Sequence, residues 1–286
     1  MTSNSQQITP VTLTIAGSDS SGGAGIQADI KAMSATGSYA CSAITALTSQ
    51  NTQGVQNIFP VPLEHIASQL HSVFSDLNVT AVKIGMLADS EIIKLVADIL
   101  RQYQPEFIVL DPVMVATSGD ILLKQSAITT LIEELIPIAT IITPNIPEAL
   151  TLTGQSTPID NVNINDLIRS LKKLPTRATL LKGGHLESLN ESNDYLITNK
   201  ETDVLSCHRV ATKNTHGTGC TLSSAIASYL AQGNTLSDSV RLAKDYITQA
   251  ISHADELNVG KGHGPVNHFY RPNHFAQSSH IHHSLK

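Results

Sequence analysis

The sequence predicts a three-layer α/β/α fold with a largely parallel central sheet. Short apolar segments typical of buried strands alternate along the chain with longer amphipathic segments typical of helices. Polar residues directly follow several of the apolar segments, and neither an internal repeat nor a long linker interrupts the alternation. We therefore expect one domain over residues 11–270, preceded by a polar segment at 1–10 and followed by a flexible His-rich tail at 271–286.

The first half of the chain begins with a strand, a glycine-rich turn and a helix. Residues 11–16 are an apolar run, and a helical pattern at 26–36 ends at Gly37, which suits a C-terminal cap. The turn is similar to the first strand-to-helix turn of a nucleotide-binding sheet, but it lacks both common phosphate-loop spacings. Further strands are predicted at 39–47, 54–61, 81–85 and 107–110, and helices at 63–77 and 90–104.

The second half of the chain continues the alternation and ends in two long helices. In the first half, the polar cluster at 48–52 is expected to end the strand predicted at 39–47, and similar polar clusters follow the later strands. The later strands are predicted at 139–143, 177–181, 194–198 and 204–210, the last two as an antiparallel pair, and the helices at 124–136, 166–174, 218–232 and 236–257.

Composition and charge exclude several classes of protein. The hydrophobic content of 41% and the charged content of 15% are typical of a globular chain and not of a disordered one. A net charge of −6 without Lys or Arg runs argues against nucleic-acid binding. Three cysteines without a CxxC pair suit a reducing compartment, and no run of 18 apolar residues predicts a membrane span. We expect a cytoplasmic protein.

The loop at 214–220 has the pattern of an anion site. Gly217 and Gly219 allow close approach of backbone N–H groups, and the positive end of the following helix favours negative charge. Cys220 falls in the first turn of that helix, where the field is expected to lower a thiol pKa from about 8.5 toward neutrality. The alternatives are a tight turn with close helix packing and a cysteine that serves as a small buried hydrophobe.

Four polar residues follow strands at the edge where ligands bind in α/β sheets: Asp111, Asn145, Glu148 and Lys182. Carboxylates can hold hydrated Mg²⁺, and a lysine beside a helix N-terminus can neutralise a transferring phosphoryl group. Each residue also has a structural alternative, as a turn residue, a helix cap with its capping-box partner, or a solvated loop charge. Their joint placement favours phosphoryl transfer.

Seven motifs in order resemble the ribokinase-like small-molecule kinases, and within them the hydroxymethylpyrimidine and phosphomethylpyrimidine kinases. The resemblance covers about residues 11–270 and implies a three-layer ribokinase-like fold. The motifs lie at residues 16–29, 44–52, 83–87, 110–114, 143–148, 181–185 and 212–220.

The resemblance implies roles at the phosphate end of the site. Asn145 and Glu148 match an Asn-x-x-Glu motif for Mg²⁺ and ATP phosphates, with Asp111 nearby, and Lys182 matches a residue near the phosphates. The residues that match the anion hole of the family are Gly217, Thr218, Gly219 and Cys220. The last of these positions is an aspartate base in the wider superfamily, so Cys220 is the residue that would accept the substrate proton.

At the substrate end, Gln50 matches the residue that contacts the aminopyrimidine, and other pocket positions match Ala24, Asp29, Met86 and Val113. A carboxamide is complementary to the adjacent ring nitrogen and amino group of a 4-aminopyrimidine. The resemblance therefore implies an enzyme that uses ATP and Mg²⁺ to convert 4-amino-5-hydroxymethyl-2-methylpyrimidine to its monophosphate and then its diphosphate. It also implies a homodimer.

Three alternative functions remain at this point. A pyridoxal or pyridoxine kinase would share the fold, although Gln50 favours the pyrimidine. A thiol hydrolase would use Cys220 as nucleophile, and a silent metabolite-binding protein would need no reactive group. Departures from the family pattern are Thr117, where many relatives have lysine, and the tail histidines at 280–283. We expect no catalytic role for His216, and packing roles in strands for Cys41 and Cys207.

Overall fold

The computed structural model of the chain describes residues 9–114, 123, 125–184 and 191–270. Expectations that concern residues 1–8, Thr117 and the tail at 271–286 lie outside these described residues. Within the described ranges, no helix combines the length and the apolar character needed to cross a membrane.

A nine-stranded sheet forms the middle layer, in the order β3-β2-β1-β4-β5-β6-β7-β8-β9. The pairs from β2 through β1 to β7 are parallel, whereas β2–β3, β7–β8 and β8–β9 are antiparallel. The largely parallel sheet that the sequence predicts is therefore confirmed. The strands are β1 Val11–Asp19, β2 Tyr39–Asn51, β3 Gly54–Pro60, β4 Val79–Ile84, β5 Phe107–Leu110, β6 Ile141–Ile142, β7 Ala178–Leu181, β8 Asp194–Thr198 and β9 Thr202–Leu205.

Most strands are buried on both sides, because helices cover both faces of the sheet. The helices are α1 Gly25–Thr36, α2 Leu63–Asp76, α3 Ser90–Tyr103, α4 Gln125–Thr130, α5 Ile146–Leu152, α6 Ile164–Leu171, α7 Thr218–Ala231 and α8 Leu236–Ser252. One core cluster joins the sheet to α2, α3 and α4, and a second joins the opposite face to α1, α7 and α8. A smaller cluster packs α5 and α6 on β7 and β8.

Local signals in the sequence locate several helix ends correctly. Gly37 adopts the left-handed conformation at φ 105°, and its N–H caps the carbonyls of Met33 and Ser34 at the end of α1. Asp89 accepts hydrogen bonds from two backbone N–H groups in the first turn of α3. These ends are encoded by residues that favour one local conformation.

Several predicted boundaries differ from the structure: β1 extends to Asp19 and α8 ends at Ser252, and three further differences bear on the site or the helix layer. The polar cluster at 48–52 does not close its strand, because β2 continues to Asn51 by pairing with β3 through a hairpin. The antiparallel partner of β8 ends at Leu205, so Cys207 lies outside it. The helix at 125–130 continues as a π-helical turn, Leu131–Leu135, and a 3₁₀ turn, Ile136–Ile138, which contains Pro137.

Candidate active site

A cavity of about 740 Å³ opens at the carboxyl ends of the central strands. The sequence-predicted residues that line it are Ala24, Gln50, Met86, Asp111, Val113, Asn145, Glu148, Lys182, Gly217, Thr218, Gly219 and Cys220. Among the predicted site residues, Asp29 is the exception, because it does not line this cavity. The fold thus brings together residues from both halves of the chain at the sheet edge where α/β proteins bind ligands.

Lys182 lies between two buried carboxylates at the inner end of this cavity. Its Nζ is 2.9 Å from Asp111 Oδ1 and 4.0 Å from Glu148 Oε2. Burial alone would lower the pKa of Lys182, but Asp111 and Glu148 raise it, so the ammonium stays charged. Burial would likewise raise the pKa of Asp111, but Lys182 and Lys83 hold it below its ordinary value.

Glu148 has a different balance of charge, although it lies in the same cluster. Burial raises its pKa to about 7, Lys182 opposes the rise, and the Asp111 carboxylate adds to it. Glu148 is also the capping-box partner of Asn145 at the start of α5, with both reciprocal hydrogen bonds at 2.8 Å. The alternative role of Asn145 and Glu148 as a helix cap with its capping-box partner is therefore correct as well. The cap fixes the position of the Glu148 carboxylate, which faces the cavity.

The two carboxylates fit a magnesium ion by the chemistry of their donors. Asp111 Oδ1 accepts from Lys182 and Thr143, whereas among the described residues its Oδ2 has only a long 3.4 Å contact with Ser223. The Ser223 hydroxyl has a single proton and a nearer acceptor, the Gly219 carbonyl at 2.9 Å. A buried carboxylate oxygen with spare acceptor capacity beside a second carboxylate matches the few protein ligands that Mg²⁺ takes in phosphate-binding sites.

The loop before α7 approaches its neighbours too closely for side chains. Gly217 has φ 81°, and a Cβ there would lie 1.8 Å from the Gly23 carbonyl oxygen. A Cβ on Gly219 would lie 3.3 Å from Lys182 Nζ. The Thr218 N–H donates to the Thr215 carbonyl at 3.2 Å, but no side chain in the described ranges caps the N-terminus of α7, a helix of 14 residues. The next N–H groups, those of Gly219 and Cys220, are therefore available to an anion in the cavity.

Cys220 lines the cavity, but the predicted lowering of its pKa is wrong. Desolvation raises the pKa of this thiol to about 11. Lys83 and a hydrogen bond from the Gly25 N–H favour the thiolate, whereas Asp29 and Asp111 disfavour it. The helix N-terminus is thus outweighed by burial and by two nearby carboxylates, which a local sequence pattern does not reveal.

Asp29 does not line the cavity, so the prediction of direct substrate contact has no support in its position. Its side chain is fully buried, and its two oxygens lie 2.8 and 2.9 Å from Nζ of the equally buried Lys83. Thr14 and Ser224 also donate to this carboxylate, at 2.6 and 2.7 Å. Asp29 therefore anchors Lys83, which lies at the floor of the cavity.

A buried pair of His216 and Asp19, which no sequence pattern predicted, joins the anion loop to the loop after β1. His216 Nε2 is 2.8 Å from Asp19 Oδ2, and the Asp19 carboxylate also accepts the N–H groups of Gly23 and Ala24. Burial would raise the pKa of Asp19, but His216 and Ser21 lower it to about 2. The available signal was an aspartate followed by Ser-Ser-Gly-Gly, which is typical of a side-chain-capped turn.

The two cysteines expected to pack in strands differ from one another. Cys41 lies in β2, as predicted, and burial raises the pKa of its thiol to about 11. Cys207 follows β9 and lines the cavity, so its assignment to a strand is wrong.

The chain matches known kinases over most of its length. Residues 19–267 match the family model described as phosphomethylpyrimidine kinase. The chain is 48% identical over 264 residues to a hydroxymethylpyrimidine/phosphomethylpyrimidine kinase of Rhizobium meliloti (strain 1021), covering 92% of this chain and 98% of that protein.

Two solved kinase structures have the same fold as this chain. A phosphomethylpyrimidine kinase from Clostridium difficile 630 is similar with a TM-score of 0.73 and 46% identity, covering 84% of this chain and 99% of that one. A pyridoxal kinase of Bacillus subtilis, solved as an ADP complex, is similar with a TM-score of 0.83 but 34% identity, covering 91% and 98%. The higher sequence identities to the pyrimidine kinases favour that function over the pyridoxal kinase alternative. Membership of a kinase family also argues against the thiol hydrolase and the silent metabolite-binding protein. The fold is ribokinase-like, and the chain belongs to the phosphomethylpyrimidine kinase family of ATP-using phosphotransferases.

Proposed function

We propose that this kinase phosphorylates the hydroxyl group of 4-amino-5-hydroxymethyl-2-methylpyrimidine and then converts the monophosphate to the diphosphate, with Mg²⁺ as cofactor. The Rhizobium relative is named for both activities. The observation that carries the proposal is that one cavity of about 740 Å³ joins Gln50, Cys220 and the Lys182 carboxylate cluster. A ring reader, a proton acceptor and a phosphate-binding group are then within reach of one small substrate.

At the phosphate end, Asp111 and Glu148 would hold the magnesium ion. When bound, Mg²⁺ supplies positive charge to the phosphate oxygens. Lys182 lies within 4.0 Å of both carboxylates and adds a second fixed positive charge at this end. The N–H groups of Gly219 and Cys220, in the first turn of α7, stabilise negative charge on the transferring phosphoryl group.

At the acceptor end, Cys220 takes the proton from the substrate hydroxyl group. Its sulfur is supported by the Gly25 N–H and by the charge of Lys83, although its pKa is about 11. Thiolate is therefore scarce at neutral pH and increases as the pH rises toward that value. The role predicts an activity that increases with pH, instead of the neutral optimum that a lowered pKa would give.

A coupled ATP-consumption assay tests the substrate. The purified chain is given the hydroxymethylpyrimidine, its monophosphate, pyridoxal and pyridoxine in turn, with and without Mg²⁺. We expect Mg²⁺-dependent turnover of both pyrimidines, and a higher kcat/KM for the hydroxymethylpyrimidine than for either pyridine. Faster turnover of pyridoxal, or none of the pyrimidines, would contradict the proposal.

Cys220→Ala tests the proton acceptor. We expect kcat to fall by about 10²–10⁴-fold and its increase at high pH to disappear, because a general base contributes an effect of that size. Cys41→Ala is a matched control, since that thiol also has a pKa of about 11 but lies in β2, away from the cavity-lining residues. If the Cys220→Ala variant keeps kcat within about threefold, the thiol only packs the loop.

We further propose that the kinase is a cytoplasmic homodimer. Support for a dimer comes from the β2–β3 edge of the sheet, where Tyr39, Leu47 and Phe59 are 56%, 46% and 62% exposed. An apolar edge of this kind is costly to leave in water. Three free cysteines suit a reducing compartment. Light scattering at several protein concentrations, with Phe59→Lys as the disrupting variant, tests the dimer.

A further inference from the structure

Thr48 and Gln50 project from the same face of β2, because side chains two residues apart on a strand share a face. Both are half-buried and both line the cavity. The main chain of Gln50 is fixed by Ser20, whose hydroxyl lies 2.9 Å from Gln50 N and 3.0 Å from Gln50 O. With the backbone fixed at both ends, the remaining freedom of this residue lies in its side chain, including the direction of its carboxamide.

The Thr48 hydroxyl has two neighbours but only one proton. Its Oγ1 lies 2.7 Å from the Ser18 carbonyl oxygen and 3.0 Å from Oε1 of Gln50. Both neighbours are acceptors, so one hydroxyl cannot donate to both. The shorter contact is with Ser18, whose carbonyl cannot itself donate, so the proton belongs there and Thr48 Oγ1 faces Gln50 as an acceptor.

A half-turn of the carboxamide satisfies all of these groups. Gln50 then donates from Nε2 to Thr48 Oγ1, and its carbonyl oxygen turns away from Thr48 toward the cavity. The opposite orientation leaves two acceptors facing each other beside a partly buried strand, which costs free energy. The Thr48 hydroxyl therefore decides which end of Gln50 meets the substrate.

We propose that Thr48 is a specificity-determining positioning residue, which holds the Gln50 carboxamide with its oxygen toward the cavity so that it accepts an N–H from the ring substrate. This inference rests on the proposed function, in which Gln50 reads an aminopyrimidine. The ring substituent beside the hydroxymethyl group is an amino group, a donor, in the pyrimidine. In pyridoxal it is a formyl group, an acceptor, which the Gln50 oxygen repels.

The experiment compares Thr48→Val with the parent enzyme. Valine keeps the β-branched shape that suits a strand but frees the carboxamide to turn. The readouts are kcat/KM for the hydroxymethylpyrimidine and the inhibition constant of pyridoxal against it, which needs no pyridoxal turnover. We expect the preference for pyrimidine to fall about 5- to 100-fold, mainly because pyridoxal binds more tightly, while pyrimidine use falls only about twofold.

Two controls separate positioning from packing. Thr48→Ser keeps the hydroxyl and should keep the preference within about twofold, since the same proton is available for Ser18. Ser49→Ala changes an exposed residue on the other face of β2 and should leave both readouts unchanged. An unchanged preference in Thr48→Val, or an equal loss for both ligands, overturns the inference.

A second pair of variants does not depend on the folding of Thr48→Val. Gln50→Glu presents an oxygen to the cavity in either orientation, whereas Gln50→Leu presents none. We expect the glutamate variant to use the pyrimidine better than the leucine variant does, and the reverse order overturns the inference. If the parent enzyme itself fails to use the pyrimidine, the proposed function is what has failed.

Discussion

Two lysine–carboxylate pairs lie near the cavity, and they differ in how completely their hydrogen bonds are satisfied. The Lys83–Asp29 pair is fully buried, and the carboxylate accepts from Lys83, Thr14 and Ser224. The Lys182–Asp111 pair leaves the lysine side chain 16% exposed, and the Oδ2 atom of Asp111 has a single 3.4 Å contact within the part of the chain that the structure describes. The first pair is closed to ligands, whereas the second has capacity left for one.

The difference shows that the presence of a charged pair does not by itself identify a reactive site. Both pairs link residues far apart in the chain, by 54 and 71 positions. What separates them is the second carboxylate, Glu148, whose pKa is raised to about 7 because the Lys182 charge does not offset its burial. Unsatisfied hydrogen-bonding capacity beside a cavity distinguishes a cluster of charged residues that can bind a ligand from one that is only structural.

The largest expected effect comes from breaking the closed pair. Lys83→Met leaves the Asp29 carboxylate buried without its cation, so we expect the free energy of unfolding to fall by about 3–5 kcal/mol. Urea denaturation followed by circular dichroism measures it. Adding Asp29→Asn should recover much of the loss, because neither charge then remains, and Lys94→Met on the exposed surface of α3 should change stability by less than about 0.5 kcal/mol. Parent-like stability in Lys83→Met would show that the pair is not structural.

The next effect concerns the open cluster and falls on catalysis instead of stability. Glu148→Gln keeps the shape but removes the carboxylate proposed to hold Mg²⁺, so kcat should fall by about 10²–10³-fold, equivalent to about 2.7–4 kcal/mol. Steady-state rates across a Mg²⁺ titration measure the loss and its partial recovery at high Mg²⁺. Glu106→Gln, at an exposed position before β5, is the matched control. A Glu148→Gln rate within about threefold of the parent at low Mg²⁺ would remove Glu148 from the metal site.

The third effect is a pH dependence of stability in the ligand-free protein. The pKa of Glu148 rises from 4.5 to about 7 on folding, so between these values the folded state holds more protons than the unfolded state. The contribution of Glu148 to the unfolding free energy therefore falls as pH rises from 4.5 through 7. We therefore expect the unfolding free energy of Glu148→Gln, measured relative to that of the parent, to be higher at pH 8 than at pH 4.

Denaturation curves of both proteins across this range test the prediction. His268 has its pKa lowered by burial to about 4, so it destabilises the fold as pH falls from 6.5, but it is present in both proteins and cancels in their difference. A difference that does not vary with pH would mean that Glu148 is ionised at neutral pH without a ligand.

The amino-acid sequence by itself determined the layered α/β fold and the set of strand-end residues that face the cavity. Apolar periodicity and the helix cap at Gly37 act through neighbours in the chain, so their effect is visible without a structure. Asp111 and Lys182 could be placed together because they follow strands, and the ends of parallel strands meet at one edge.

The tertiary structure alone decided the state of the groups at that edge. Asp29 became the partner of Lys83 and not a pocket residue, and His216 found Asp19 across 197 positions of sequence. The thiol pKa of Cys220 went up where its helix position predicted a decrease. Desolvation and long-range charge depend on what packs around a group after folding, and no local pattern of residues contains that information.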